Sequence, residues 1–209
     1  MLAGRVGTIR PMADTPLRAK KANATRARIA ETALDLFTTQ GYAETTIDQI
    51  AEAAGVGRRT VFRHFATKES ILLDHLVVRR EEAIQRLRER PASELPLTSL
   101  HAVLRELSAQ GYDRRLLAQI RAVLATDPGL VSGALLGGTR EFALSIVATL
   151  EARGGDQYPS LEIHAVALMA MSWFLTAAEV YLTDGRPSLV ECFDEVVSTC
   201  VQASASSLG

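Results

Sequence analysis

The chain has 209 residues, 47% hydrophobic and 22% charged, a globular balance that supports a buried core and excludes global disorder. Net charge is −1, but residues 1–70 carry eleven Lys/Arg against seven Asp/Glu, while residues 71–209 carry twelve against seventeen. A basic front and an acidic rear suit a nucleic-acid-binding head on a body that avoids DNA.

Residues 1–24 mix Gly, Pro, Thr and scattered Arg/Lys without periodicity, which predicts a flexible basic arm. Arg18, Lys20, Lys21, Arg26 and Arg28 are open to two readings: an arm for the DNA backbone or minor groove, or plain solubility charge. From Thr25 the pattern turns helical, with Ile29, Ala33, Leu36 and Phe37 on one stripe and Gly41 as the stop. Thr46-Ile47-Asp48-Gln49 is a capping box that opens a second helix, with Ile47, Ile50, Ala51 and Ala54 on its buried face. Gly55-Val56-Gly57 is a tight turn. A short third helix follows over Arg58 to His64. Thr67-Lys68-Glu69 starts a fourth, whose stripe runs through Ile71, Leu72, Leu76, Ile84 and Leu87 until Pro91 and Pro96 close it.

The rest is helical too. Segments are predicted over Leu97 to Gln110, Asp113 to Thr126, Asp127 to Arg153 with bends at Gly133, Gly137 and Gly138, Ser160 to Thr183, and Leu189 to Ala203. Ser188-Leu189-Val190-Glu191 reads as a second capping box. Cys192 and Cys200 lie eight apart, about 12 Å of helical rise, too far for a disulfide within one helix. No run of 18 uninterrupted apolar residues occurs; the richest, Ala165 to Ala178, is broken by Ser172 and Thr176. A cytoplasmic protein without a membrane partner is expected. No metal-ligand spacing, cofactor motif, paired carboxylates, nucleophile motif or glycine-rich phosphate loop stands out, so no cofactor and no catalysis are expected.

Thr46 to Lys68 is the informative segment: helix, glycine-centred turn, short helix. That is a helix-turn-helix, whose second helix enters the major groove. Gly55 permits the turn, and Ala51 and Ala54 are small enough for the helices to cross closely. The second helix is left with Arg58, Arg59, Thr60 and Arg63 for DNA, arginine being able to grip guanine or phosphate with two hydrogen bonds.

Thr45-Thr46-Ile47, Ile50-Ala51, Ala54-Gly55-Val56, Thr60-Val61-Phe62, His64-Phe65 and Lys68-Glu69, with Ile29-Ala30, Leu36-Phe37 and Gly41-Tyr42 before them, resemble the N-terminal signature of the tetracycline-repressor (TetR) family. The resemblance covers residues 25–75. It implies an all-α fold: a three-helix DNA-binding head over residues 25–70 and a ligand-binding and dimerisation body over residues 71–209. It implies DNA contacts from Arg58, Arg59, Thr60 and Arg63, and phosphate contacts from Thr46, Phe62, His64 and Lys68. Phe62 stands where the family commonly has Tyr and carries no hydroxyl. It further implies a homodimer paired through the last two helices, a palindromic double-stranded operator, and repression relieved by a small molecule. In the body, Phe142, Met169, Trp173 and Phe174 are candidate effector contacts, with Ile84 and Leu87 at the far end of the fourth helix; an apolar effector is expected. The rival readings are a DNA-binding regulator without a ligand, and an all-α carrier or enzyme, which would need a catalytic cluster.

Overall fold

Helix α1 spans Thr15–Gln40, so the helical part of the chain begins well before Thr25. Its first turns are rich in Ala, Lys and Arg, strong helix formers, and Pro16 sits in the first turn, where a missing N–H costs nothing. No apolar stripe announces this stretch because residues 18–24 are solvent-exposed. This computed structural model describes residues 15–130, 136–154 and 157–207, and every regular element among them is a helix. Residues 15–24 of the expected arm are therefore helical, and residues 1–14 lie outside the described residues.

The head is built from α1, α2 (Ile47–Ala53), α3 (Arg58–His64) and α4 (Lys68–Leu72). Ile29, Ala33, Phe37, Ile50, Val61 and Phe65 are buried together at its centre, and Leu36 and Ile47 cover the rim. The fourth helix is not one rod. It breaks at Leu73 (φ −93°, ψ 4°) and restarts as α5 (Asp74–Glu89). Leu73 is itself buried, and no Gly or Pro marks the break.

The body comprises α5, α6 (Pro96–Ala109), α7 (Arg114–Thr126), the single turn α8 (Pro128–Leu130), α9 (Leu136–Gly154), α10 (Ser160–Thr183) and α11 (Leu189–Ser207). Pro96 opens α6 at its first position instead of closing the helix before it. Asp113 caps α7, its carboxylate accepting from the N–H groups of Arg115 and Leu116 at 2.9 and 3.3 Å. The expected long helix from Asp127 appears as α8 and α9. Gly137 and Gly138 lie in α9's first turn, and Gly133 lies outside the described residues.

Two cores result. One joins α5, α6, α9, α10 and α11 around Leu87, Leu104, Ile146, Ile163 and Phe193. The other is the head core, and it also takes in Ile120, Val123 and Leu124 of α7 and Leu130 of α8. The head is thus packed onto the body through α7, and the sequence boundary at residue 70 does not coincide with a gap in packing. Cys192 and Cys200 are free thiols.

Helix α10 corrects one sequence expectation. It is long and apolar enough to cross a membrane by length and composition, with a mean hydropathy of 1.6 over its best window. Ile163, Ala167, Ala170, Trp173 and Ala177 are buried against α6, α9 and α11. Part of the remaining apolarity is a seven-residue repeat of leucines: Leu161, Leu168 and Leu175 are 82%, 62% and 48% exposed, and Leu182 continues the spacing.

Candidate nucleic-acid interface

Thr46 starts α2 through a complete capping box. Its Oγ1 accepts from the Gln49 N–H at 3.2 Å, and Gln49 Oε1 accepts from the Thr46 N–H at 2.8 Å. The turn after α2 needs Gly55, whose φ of +63° disfavours a side chain. Val56 N–H then closes onto the Ala51 carbonyl at 2.9 Å, and α3 begins at Arg58. Val61 and Phe65 point into the core. By helical geometry the other face of α3 is left outward.

That face carries Arg58, Arg59, Phe62 and Arg63, all exposed, with Thr60 half-buried at its edge. Among the described residues, Arg59 and Arg63 make no ion pair. Arg58 is engaged: its Nη1 bonds both carboxylate oxygens of Asp48 on α2, at 3.0 and 2.8 Å, and its guanidinium lies 5.5 Å from the Phe62 ring centroid. Phe62 is 47% exposed, an aromatic ring left in solvent beside the arginines.

Two expected phosphate groups are placed differently. Lys68 turns inward. Its Nζ donates to the carbonyls of Tyr42 and Thr45 at 2.6 and 3.1 Å and sits 4.2 Å from the Tyr42 ring centroid. The ammonium thereby ties the α1–α2 loop, whose carbonyls at a helix C-terminus attract a cation. His64 is half-buried beside Phe65, and its Nε2 is shielded without a hydrogen-bond partner. Desolvation, then the charges of Arg63 and Arg26, push the His64 imidazole below its ordinary range.

Sequence reading missed Arg26 and Asp48 as partners. Arg26 of α1 donates from Nε to Asp74 Oδ1 at 2.7 Å and lies over the Phe65 ring. Asp74 is only 3% exposed and opens α5, where a helix N-terminus favours a carboxylate. This pair bolts the head to the body beside the Leu73 break. Lys20, Lys21 and Arg28 are exposed along α1.

The body holds a cavity of about 220 Å³, lined by Leu76, Arg79, Arg80 and Ala83 of α5, Leu104 and Leu107 of α6, Leu117 of α7, Phe142 of α9, Phe174 and Ala178 of α10, and Tyr112. Of the six expected effector contacts, Phe142 and Phe174 line it. Trp173, one residue along, faces the packed core, as do Ile84 and Leu87, and Met169 is partly exposed elsewhere on α10. The cavity lies against the head-proximal half of α5, not its far end. Among the described residues, no three His, Cys, Asp or Glu side chains gather as a metal site.

The model for bacterial regulatory proteins of the tetR family matches residues 29–74. The HTH-type transcriptional regulator TcmR of Streptomyces glaucescens is 37% identical over 123 residues, 56% of this chain and 54% of its own length. The chain thus spans about half of TcmR. The transcriptional regulator MftR of Mycobacterium tuberculosis is 30% identical over 182 residues, covering 82% of this chain and 87% of its own. Among solved structures, SmeT in complex with triclosan has a TM-score of 0.58 at 19% identity, over 84% of this chain and 91% of that one. A transcriptional regulator from Aquifex aeolicus VF5 has a TM-score of 0.51 at 15% identity, over 86% and 99%. Those identities speak for the shared fold. The signature-bearing head, the helical body and the near-full-length likeness to MftR agree: the chain belongs to the TetR family of bacterial regulatory proteins.

Proposed function

We propose that the protein is a cytoplasmic, dimeric, non-enzymatic transcriptional repressor that binds a palindromic operator through α3 and releases it when a small molecule fills the body cavity. The observation that carries the DNA-binding reading is the outward face of α3, where Arg58, Arg59 and Arg63 stand together on a helix held by a capped helix-turn-helix. Arg58, Arg59, Arg63 and Thr60 are its base and backbone contacts, and Thr46 at the α2 N-terminus faces phosphate. Lys68 acts indirectly, by fixing the loop that precedes α2.

The leucine repeat of α10 supports the dimer. Leucines seven apart fall on one stripe of a helix; here Leu182 packs against the body core and Leu175 borders the cavity, while Leu161 and Leu168 are left largely exposed. A second copy covers them most simply, bringing α10 and α11 of two protomers together and setting the heads about 34–36 Å apart, one turn of DNA. The cavity and the α7 link between the two cores support ligand control.

The test is selection of random duplex DNA on the full chain, followed by titration of the enriched sequence at fixed salt. Enrichment of a palindrome that Arg59→Ala no longer prefers supports the reading. Sequence-blind binding by the native chain overturns it.

A further inference from the structure

We infer that the cavity takes an amphipathic organic anion, whose apolar body fills the space between α5, α6 and α10 and whose carboxylate or equivalent acidic group pairs with Arg80. This rests on the ligand-responsive reading above and adds the chemical class of the effector.

The cavity wall is almost wholly apolar: Leu76, Ala83, Leu104, Leu107, Phe142 and Phe174 supply carbon surface. Its two charged residues differ. Arg79 is spent, bonding Glu82, the Gln110 side chain and the Gly111 carbonyl, and stacking on Tyr112. Arg80 is half-buried and makes no ion pair within 4 Å among the described residues. Its Nη2 donates to the Thr139 hydroxyl at 3.3 Å, a long bond, and its guanidinium lies 5.8 Å from the Phe142 ring centroid. Burial pushes this guanidinium below the ordinary arginine range, offset in part by the more distant Glu141 and by Tyr112.

The end of that guanidinium lies against Gly138. A methyl group on Gly138, in the first turn of α9, would stand 2.5 Å from Arg80 Nη1. Arg80 also lines an outer cleft with Glu81, Arg88, Gly138 and Glu141. It therefore stands between the apolar interior and solvent: Nη2 makes the long bond to Thr139 on the cavity side, and Nη1 lies against Gly138 at the outer cleft. A desolvated cation is stabilised most by an anion that brings its own hydrogen-bond acceptors, and a planar guanidinium suits a carboxylate in two-point contact. An alcohol offers less, and an amine repels.

Size follows from volume. A cavity of roughly 150 Å³ holds benzene, six heavy atoms, so 220 Å³ accepts about nine, with the acidic group at the mouth. Octanoate, octan-1-ol and octylamine match this size and differ only in the head group. Isothermal titration of the full chain with each probe is the test, on the native protein, on Arg80→Gln and on Ala83→Leu, which narrows the cavity; circular dichroism confirms folding of each variant.

The expected result is octanoate binding at least about tenfold tighter than octanol, with octylamine weakest. Arg80→Gln should bring octanoate down to the octanol level and leave octanol unchanged, and Ala83→Leu should weaken both. Gly138→Ala, which crowds the guanidinium without removing it, should lower octanoate alone. If octanol binds as well as octanoate, or the octanoate preference persists in Arg80→Gln, the anion assignment is overturned while the cavity remains a ligand site. If no probe binds the native chain, the cavity assignment falls with it, and DNA binding stands on the operator selection alone.

Discussion

Arg58 cannot hold Asp48 and a guanine with the same donors, and that competition can be measured. The bridge joins two side chains that are 60% and 64% exposed. Such a pair contributes about 0–1 kcal/mol. A two-bond arginine–guanine contact is worth about 1–3 kcal/mol of discrimination. If Arg58 reads a guanine as proposed, that contact is the stronger of the two, so DNA would draw Nη1 off Asp48 and the observed affinity would be lowered by what the bridge was worth. Asp48→Asn removes the competitor and a negative charge from the DNA face. Operator affinity should rise by up to about fivefold, the equivalent of about 1 kcal/mol. Stability should move the other way, because Asp48 also sits in the first turn of α2, where a carboxylate is worth about 0.3–1 kcal/mol against the helix dipole. Arg58→Ala should weaken operator binding about 5- to 150-fold. Fluorescence anisotropy at one salt concentration, with all four members of the Asp48/Arg58 cycle, reads the coupling. In the Arg58→Ala background, Asp48→Asn should give only the small gain of a removed charge. If its gain there is as large as in the native protein, or if Asp48→Asn weakens binding, Arg58 is not the group that Asp48 restrains and the reasoning is refuted.

The Arg26–Asp74 pair should be asymmetric: Arg26→Ala strands a buried carboxylate and should cost about 1–3 kcal/mol in thermal unfolding, and Asp74→Asn should cost less because Arg26 is partly exposed and can turn to water. His64 has a folded-state pKa below its ordinary 6.5, so the folded state loses stability as pH falls from 6.5 through the lowered value; His64→Phe should flatten melting temperature over that window, and an unchanged slope would remove the assignment. Leu168→Glu on the exposed α10 stripe should give a 22.6 kDa monomer in equilibrium sedimentation that binds a single half-site weakly; a native-like mass would move the interface elsewhere. Leu117→Ala should leave operator affinity near native yet blunt its response to a bound cavity ligand, measured as the ratio of operator dissociation constants with and without octanoate; an undiminished ratio would relieve α7 of its coupling role.

The head was readable because its signals are local. A threonine three residues before a glutamine and a glycine pair around one valine were enough to bound α3 at Arg58–His64. What was not legible depends on distant partners. The inward turn of Lys68 comes from the Tyr42 and Thr45 carbonyls, which face it from a loop more than twenty residues away. The Leu73 break follows from α4 packing on α1 while α5 packs on α6 and α9, and no residue preference records it. The cavity shows the same limit. Ala83, Ile84 and Leu87 share the apolar side of α5, yet only Ala83 lines the void, because periodicity reports which face is buried and not whether the far side is filled. The spacing of seven among the leucines at 161, 168, 175 and 182 went unread, because the whole of α10 is apolar and hides a single stripe.

Two helices reach both cores, and their contacts decide how an effector could act at a distance. Helix α5 does so through Leu76, which lines the cavity and packs against the head. But α5 is offset from α4 at Leu73, so it is not one straight rod with the head's last helix and is tied to the head there by Arg26–Asp74. Helix α7 is continuous. Near its start, the Arg114 guanidinium bonds the carbonyls of Tyr181 and Arg186 and stacks on Tyr181, an anchor in the α10–α11 corner. One turn on, Leu117 faces the cavity; beyond it, Ile120, Val123 and Leu124 are buried in the head core. Pressure on Leu117 therefore acts between a fixed end and a loaded end. Leu124 lies ten residues from Arg114, about 15 Å along the axis, so a tilt of about 10° shifts it by about 2.6 Å. A close-packed head core cannot absorb that by compression and must follow as a unit. In a dimer both heads move, and the mismatch with two successive major grooves doubles to about 5 Å. A coupling of about 1–3 kcal/mol would then change operator affinity about 5- to 150-fold, and the operator must weaken the effector by the same factor. A ligand at Ile84 and Leu87 would have no such lever, since that end of α5 is buried in the body core, away from α7.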